Sequence, residues 1–119
     1  MTTQEVANRL YELNKAQKNP QAYTELYAKD IISVEKKNFS GPFEERIGLE
    51  HLMKLSEGFW SSIEQIHDGY IHEPRVFDNN IFMEMGMDIT MKGVGRFYMK
   101  EMCHHVVENG KIVWEKFYY

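Results

Sequence analysis

The hydrophobic pattern of this chain changes period once. In the first half, apolar residues recur at helical spacing: Val6, Leu10 and Leu13 fall in one row, which Gln17 continues. Thr2 and Glu5 frame that row as a capping box, the hydroxyl and the carboxylate each answering the other's backbone N–H. Lys18-Asn19-Pro20 ends this helix and opens a second one, because proline suits the first helical turn. The second helix is predicted over roughly 20–28, with Tyr23, Leu26 and Tyr27 on one side and Asp30 as its stop. Residues 31–36 alternate as a short strand, Ile32 and Val34 facing one way, Ser33 and Glu35 the other. Residues 37–47 contain Ser40-Gly41-Pro42 and read as a charged loop. A third helix is predicted over 48–63, with Leu49, Leu52, Met53, Phe59, Trp60 and Ile63 as its apolar stripe.

From Gln65 onward the period is two. Residues 65–77 read as a long strand in which Pro74, having no N–H, needs a bulge or an unpaired edge position. Asp78-Asn79-Asn80 is a turn, and 81–91 is the next strand. Met83, Met85, Met87, Ile89 and Met91 form one face of it; Phe82, Glu84, Gly86, Asp88 and Thr90 form the other. Lys92-Gly93-Val94-Gly95 turns into a closing hairpin whose two strands meet at Asn109-Gly110, the pair best suited to a turn with two positive φ angles. Phe97, Met99, Glu101, Cys103, His105 and Val107 share one face of the first hairpin strand. A carboxylate and an imidazole among apolar side chains suggest the wall of a pocket. Helices first and a meander of strands after make an α+β domain of two layers, spanning residues 1–119 as one unit.

The ordered motifs resemble a known family. Leu26-Tyr27-Ala28-Lys29-Asp30-Ile31-Ile32-Ser33-Val34-Glu35, Gly48-Leu49-Glu50, Met87-Asp88-Ile89-Thr90-Met91-Lys92-Gly93, Asn109-Gly110-Lys111-Ile112-Val113 and Glu115-Lys116-Phe117-Tyr118-Tyr119 are similar to successive motifs of SnoaL-like proteins, a branch of the nuclear transport factor 2-like superfamily. The resemblance covers nearly the whole chain. It implies three N-terminal helices on a strongly curved antiparallel sheet, a cone-shaped half-barrel with an internal pocket. The superfamily includes isomerases, cyclases, hydrolases and non-catalytic binding modules, so the fold alone does not deliver a function. The isomerase constellation is not copied. Tyr11 lies on the first helix, but no Asp follows at the base position, for which Glu35 is a loose counterpart.

Charge and composition narrow the rest. A net charge of −4 with no basic block argues against nucleic acid. No apolar run approaches the ~20 residues needed to span a bilayer, and 1–10 lack the apolar core of a secretory signal. Cys103 stands alone, so no intrachain disulfide forms. These features predict a cytoplasmic protein.

Glu101 is the first candidate for chemistry, because burial of its face raises its pKa toward the range of a general acid or base. The competing reading is a carboxylate exposed at a strand end or paired with Lys or Arg. His105 and Glu35 join it as catalytic candidates, Glu35 having a surface alternative beside Lys36 and Lys37. Tyr11, Tyr27, Phe59, Trp60, His67, Asp88, Met99 and Cys103 are the pocket candidates. Asp88 is a polar anchor if its face lines the cone, and an outer-surface residue if the methionine face does. His104 and His105 point to opposite faces and cannot chelate together, and no helical His pair or Cys cluster exists, so no metal is expected. No Gly-rich phosphate loop calls for a cofactor. Cys103 as a nucleophile would need a cationic neighbour. Three functions compete: a small cofactor-free enzyme acting by acid–base chemistry on an apolar metabolite, a non-catalytic pocket for such a ligand, and a dimerisation module. Both faces of the sheet carry apolar residues, which predicts a homodimer through the outer one.

Overall fold

The computed structural model describes residues 1–119. Helix α1 (Thr3–Lys15) begins at the expected capping box: the Glu5 amide donates to Thr2 Oγ1 at 3.1 Å, and the Thr2 amide donates to Glu5 Oε1 at 2.9 Å. Its buried stripe is Val6, Ala7, Leu10 and Leu13. Helix α2 (Asn19–Leu26) carries Pro20 in its first turn, and α3 (Leu49–Ser61) starts after Gly48, whose φ of 97° is one that glycine alone adopts without strain.

Seven strands form one open sheet: β1 (Tyr27–Lys36), β2 (Phe43–Ile47), β3 (Ile63–Ile71), β4 (Arg75–Phe77), β5 (Asn80–Met91), β6 (Gly95–Glu108) and β7 (Lys111–Tyr118). The order is β2-β1-β7-β6-β5-β3, with β4 also on β5. The turn between β6 and β7 has φ of 50° at Asn109 and 76° at Gly110, as the Asn-Gly pair requires.

Five details differ from the sequence expectation. The sheet is mixed, since β1 runs parallel to β7. Tight turns force neighbours in the meander to be antiparallel, but β1 and β7 are joined by most of the chain and carry no such constraint. Tyr27 does not continue α2: it opens β1, paired with Ile112, so strand pairing overrides a helical spacing that Leu26 and Tyr27 would satisfy. Residues 43–47 form β2, an exposed edge strand paired with β1, and its charges, which suggested a loop, suit an edge. The long strand around Pro74 is two strands, because His72, Glu73 and Pro74 interrupt the pairing and Pro74 has no N–H to offer. Ile63 likewise belongs to β3 rather than to α3.

The β5–β6 register and the packing of the helices together settle which face looks inward. Met83 opposes Cys103, Met85 opposes Glu101 and Met87 opposes Met99, so the methionine face and the Glu101 face are one surface, under the helices. At one end of that surface Ile31, Ile81, Met83, Val107 and Ile112 pack with Leu10, Leu13, Leu26 and Leu52 as the solid core. Each such side chain contributes about 2 kcal/mol by leaving water. Further along the same strands the helices no longer fill the space, and a cavity opens.

Candidate functional site

The cavity holds about 770 Å³, within the range of small-molecule sites. Its sheet wall is made by Met85 and Met87 of β5, Met99, Glu101, Cys103 and His105 of β6, Glu115 and Phe117 of β7, and Ser33 and Glu35 of β1. Tyr11, Tyr23, Leu52, Leu55, Phe59 and Trp60 close it from the helices. About half of the lining is apolar or aromatic, and on the sheet wall a small set of polar groups fixes what the cavity can do.

Glu115 is the best-satisfied of them. It is 1% exposed and accepts three hydrogen bonds: from the Tyr27 hydroxyl at 2.6 Å, the Ser33 hydroxyl at 2.8 Å and His105 Nδ1 at 3.0 Å. The carboxylate is the acceptor, so the imidazole hydrogen sits on Nδ1. His105 Nε2 is then left buried with no partner, the one side-chain nitrogen or oxygen in the structure in that condition. Burial, and then the charge of Glu115, push the Tyr27 phenol well above its ordinary pKa, so it remains a donor.

Glu101 has almost nothing. Its only side-chain partner is the Cys103 thiol, 3.7 Å from Oε1. Burial is the main reason its pKa is pushed up to about 7; the charges of Glu35 and Glu115 add to the rise, and the thiol contact opposes it. Near neutral pH such a carboxyl is present in both its acid and its base form. The same crowd of carboxylates, after burial, holds the Cys103 thiol well above its ordinary value. The thiolate is the reactive form, so burial and these charges disfavour Cys103 as a nucleophile.

Glu35 accepts from Arg46 at 2.7 Å. Burial raises its pKa more than the guanidinium lowers it, and Glu115 adds to the rise. Arg46 also reaches Glu44. Thus Glu35, Glu101, Glu115 and His105 come together on one wall, each with different hydrogen-bond support.

The remaining candidates fall as follows. Tyr11, Tyr27, Phe59, Trp60, Met99 and Cys103 line the cavity. His67 borders it, with Nε2 2.7 Å from Thr90 Oγ1, at a bulge of β3 between Ile66 and Asp68. Asp88 stands outside. The methionine face took the interior, so Asp88 looks outward and is bridged by Arg96 at 3.1 and 2.9 Å. Also on the outer face, Phe82, Tyr98, Met102 and Tyr118 are exposed.

Sequence reasoning missed Glu115 and Ser33. An unbroken two-residue hairpin would pair Glu108 with Lys111 and, four steps on, put Glu115 opposite His104. One extra residue, Val113, bulges out between the Val107–Ile112 and Val106–Trp114 pairs and puts Glu115 opposite His105. On its other side Glu115 pairs with Ser33 of β1. The available signal was the alternation of Glu115 with Phe117 and Tyr119, which places a carboxylate in an aromatic row.

No group of three or more His, Cys, Asp or Glu side chains is arranged to hold a metal ion. No helix is long and apolar enough to cross a membrane.

Comparison with known proteins agrees with this architecture. A candidate SnoaL-like polyketide cyclase from Mesorhizobium loti is 33% identical, each chain covering 100% of the other, with a TM-score of 0.90. A candidate polyketide cyclase from Pseudomonas putida, 18% identical over 100% of this chain and 92% of its own, superposes with a TM-score of 0.72. A nuclear transport factor 2-like protein of unknown function from Burkholderia pseudomallei, 15% identical over 100% of this chain and 91% of its own, gives 0.77. The latter two likenesses concern the fold alone. No curated protein matches the chain. The model of the SnoaL-like domain matches residues 1–119, and with the ordered motifs and the relative from M. loti it establishes that this chain belongs to the SnoaL-like domain family.

Proposed function

We propose that the protein binds a small apolar metabolite in this cavity and moves a proton on it without a cofactor, Glu101 being the catalytic group. The observation that carries the reading is Glu101 itself: a carboxyl on the wall of an apolar cavity, with no hydrogen-bond partner but a distant thiol and a pKa near 7. As the carboxylate it takes a proton from a weakly acidic position of the ligand. As the acid it returns that proton elsewhere on the same molecule, so the ligand is rearranged and Glu101 is restored. Glu35 contributes the charge that helps to raise Glu101, and His105, held by Glu115, lies on the same wall. The relative from M. loti, described as a candidate polyketide cyclase, supports a ring-forming or ring-bearing substrate.

The test begins with a screen of apolar ring metabolites for a rise in melting temperature. Binders are then incubated with the protein in D2O, and uptake of deuterium is followed by mass spectrometry. The parent should exchange a ligand proton and Glu101→Gln should not, while still binding. Exchange by Glu101→Gln at the parent rate would remove Glu101 from the mechanism. Binding with no exchange in the parent would instead favour a non-catalytic pocket.

The reading includes a homodimer over the outer sheet face. Rows of exposed apolar residues, Phe82, Tyr98, Met102 and Tyr118, alternate there with Glu84, Lys100 and Lys116, a mixture that can pair with itself across a two-fold axis. Light scattering should give twice the chain mass of 14.2 kDa, and a mass of one chain across micromolar concentrations would reject the dimer.

A further inference from the structure

We infer that the ligand class of this cavity is a protonated amine on an apolar body, anchored at Glu101, and that anions are excluded. The inference concerns what the site described above binds, and it rests on an account of donors and acceptors. On the inner wall of β1, β2, β6 and β7 each donor group already has at least one acceptor. The Tyr27 and Ser33 hydroxyls and His105 Nδ1 donate to Glu115. Arg46 donates to Glu35 and Glu44. Lys36 Nζ donates to the Tyr119 carbonyl, and the Tyr119 hydroxyl to the Lys36 carbonyl at 3.5 Å. The Cys103 thiol lies toward Glu101 at 3.7 Å. What remains reachable is the acceptor capacity of Glu101, and only a donor on the ligand can complete it.

Charge separates the possible donors. Glu35, Glu101 and Glu115 share this wall with two cations, Arg46, which bridges Glu35 and Glu44, and Lys36, which donates to the Tyr119 carbonyl, so the acids outnumber the cations. A hydroxyl would satisfy the hydrogen bond and leave the surplus negative charge in place. An ammonium satisfies both, and the rings of Tyr23, Phe59, Trp60 and Phe117 in the lining offer π faces to its positive charge. A carboxylate or phosphate would meet three acids on this wall, beside cations already engaged by Glu35, Glu44 and the Tyr119 carbonyl.

Amine binding is also linked to protonation. The ionisable groups around Glu101 are Cys103 and His105 on its own strand, Glu115 and Tyr119 at the end of the chain, Glu35 and Lys36 on β1, Arg46 on β2, Tyr27 where β1 begins and Tyr23 on α2. A cation placed among them favours the ionised form of Glu101, so affinity should rise as pH rises through neutrality.

The test uses three probes that share one apolar body: 1-naphthylmethylamine, 1-naphthalenemethanol and 1-naphthoate. Each is titrated calorimetrically into the full chain, parent and Glu101→Gln, slightly above neutral pH. The amine should bind at least about tenfold more tightly than either other probe, the scale of a hydrogen bond to a charged partner. Glu101→Gln should lose that preference. Should the variant fail to fold, the parent's amine affinity measured from acid to neutral pH decides, a rise supporting the inference and a flat profile opposing it. Naphthoate binding as well as the amine, the alcohol matching the amine, no binding by any probe, or a preference that survives Glu101→Gln would each overturn it. The outcome is separable from that of the proposed chemistry. Amine preference without deuterium exchange leaves this inference standing and sinks the acid–base reading; exchange on a neutral ligand without amine preference does the reverse.

Discussion

Glu115 and Glu101 are the same side chain on neighbouring strands of one cavity wall, and the structure treats them oppositely. Glu115 receives three donors, from β1 and β6, and is closed to solvent. Glu101 opposes Met85 and receives only a thiol contact. The difference lies in the neighbours that the strand register supplies. A buried carboxylate surrounded by donors holds strands together; one surrounded by methionines keeps a high pKa and remains available for a ligand. Removing the first should therefore damage the fold, and neutralising the second should relieve it.

The largest expected effect is that of Glu115→Ala. It strands the Tyr27 and Ser33 hydroxyls and His105 Nδ1 in a closed interior, and should destabilise the protein by about 4 kcal/mol, the scale for breaking a buried charged network. Urea unfolding followed by circular dichroism measures it. A loss within the fitting error would mean that the network contributes little.

Next in size is the pH dependence of Glu101→Gln. The Glu101 pKa lies near 4.5 when unfolded and about 7 when folded, so the folded state binds the extra proton between those values. Parent stability should therefore fall, relative to the variant, as pH rises from about 4.5 to about 7, and stay lower above that. The difference should reach about 3 kcal/mol, from the free energy that one unit of pKa shift represents. Identical pH profiles would show that Glu101 is hydrated in the native state.

These two effects also mark where the sequence was legible. Met99, Glu101, Cys103 and His105 could be placed on one face because strict alternation runs back from a turn whose two positive φ angles only a pair such as Asn-Gly accepts readily. Glu115 could not be placed, because the bulge at Val113 leaves no mark in the alternation and shifts everything after it by one position. Asp88 depended on a choice between the methionine face of β5 and the opposite one, which only packing against the helices made. Strand β2 was hidden because an edge strand is selected for charge, which local pattern reads as loop.

Two smaller changes sharpen the contrast. Ser33→Ala removes one of the three donors to Glu115 and should cost about 1 kcal/mol in the same unfolding experiment, since Tyr27 and His105 remain. A cost equal to that of Glu115→Ala would mean that the network acts as a single unit. Asp88→Asn, on the outer face with Arg96 exposed to water, should leave stability and ligand affinity where they are, because such pairs contribute little. A clear loss of affinity would place Asp88 in communication with the cavity.

Glu101 is a carboxyl held out of water with almost no hydrogen-bond support. The most direct measurement is a titration of its side-chain carboxyl carbon by 13C NMR, assigned by its absence in Glu101→Gln. Its midpoint should lie near 7, well above the ordinary glutamate value of 4.5. A midpoint at that ordinary value would contradict it.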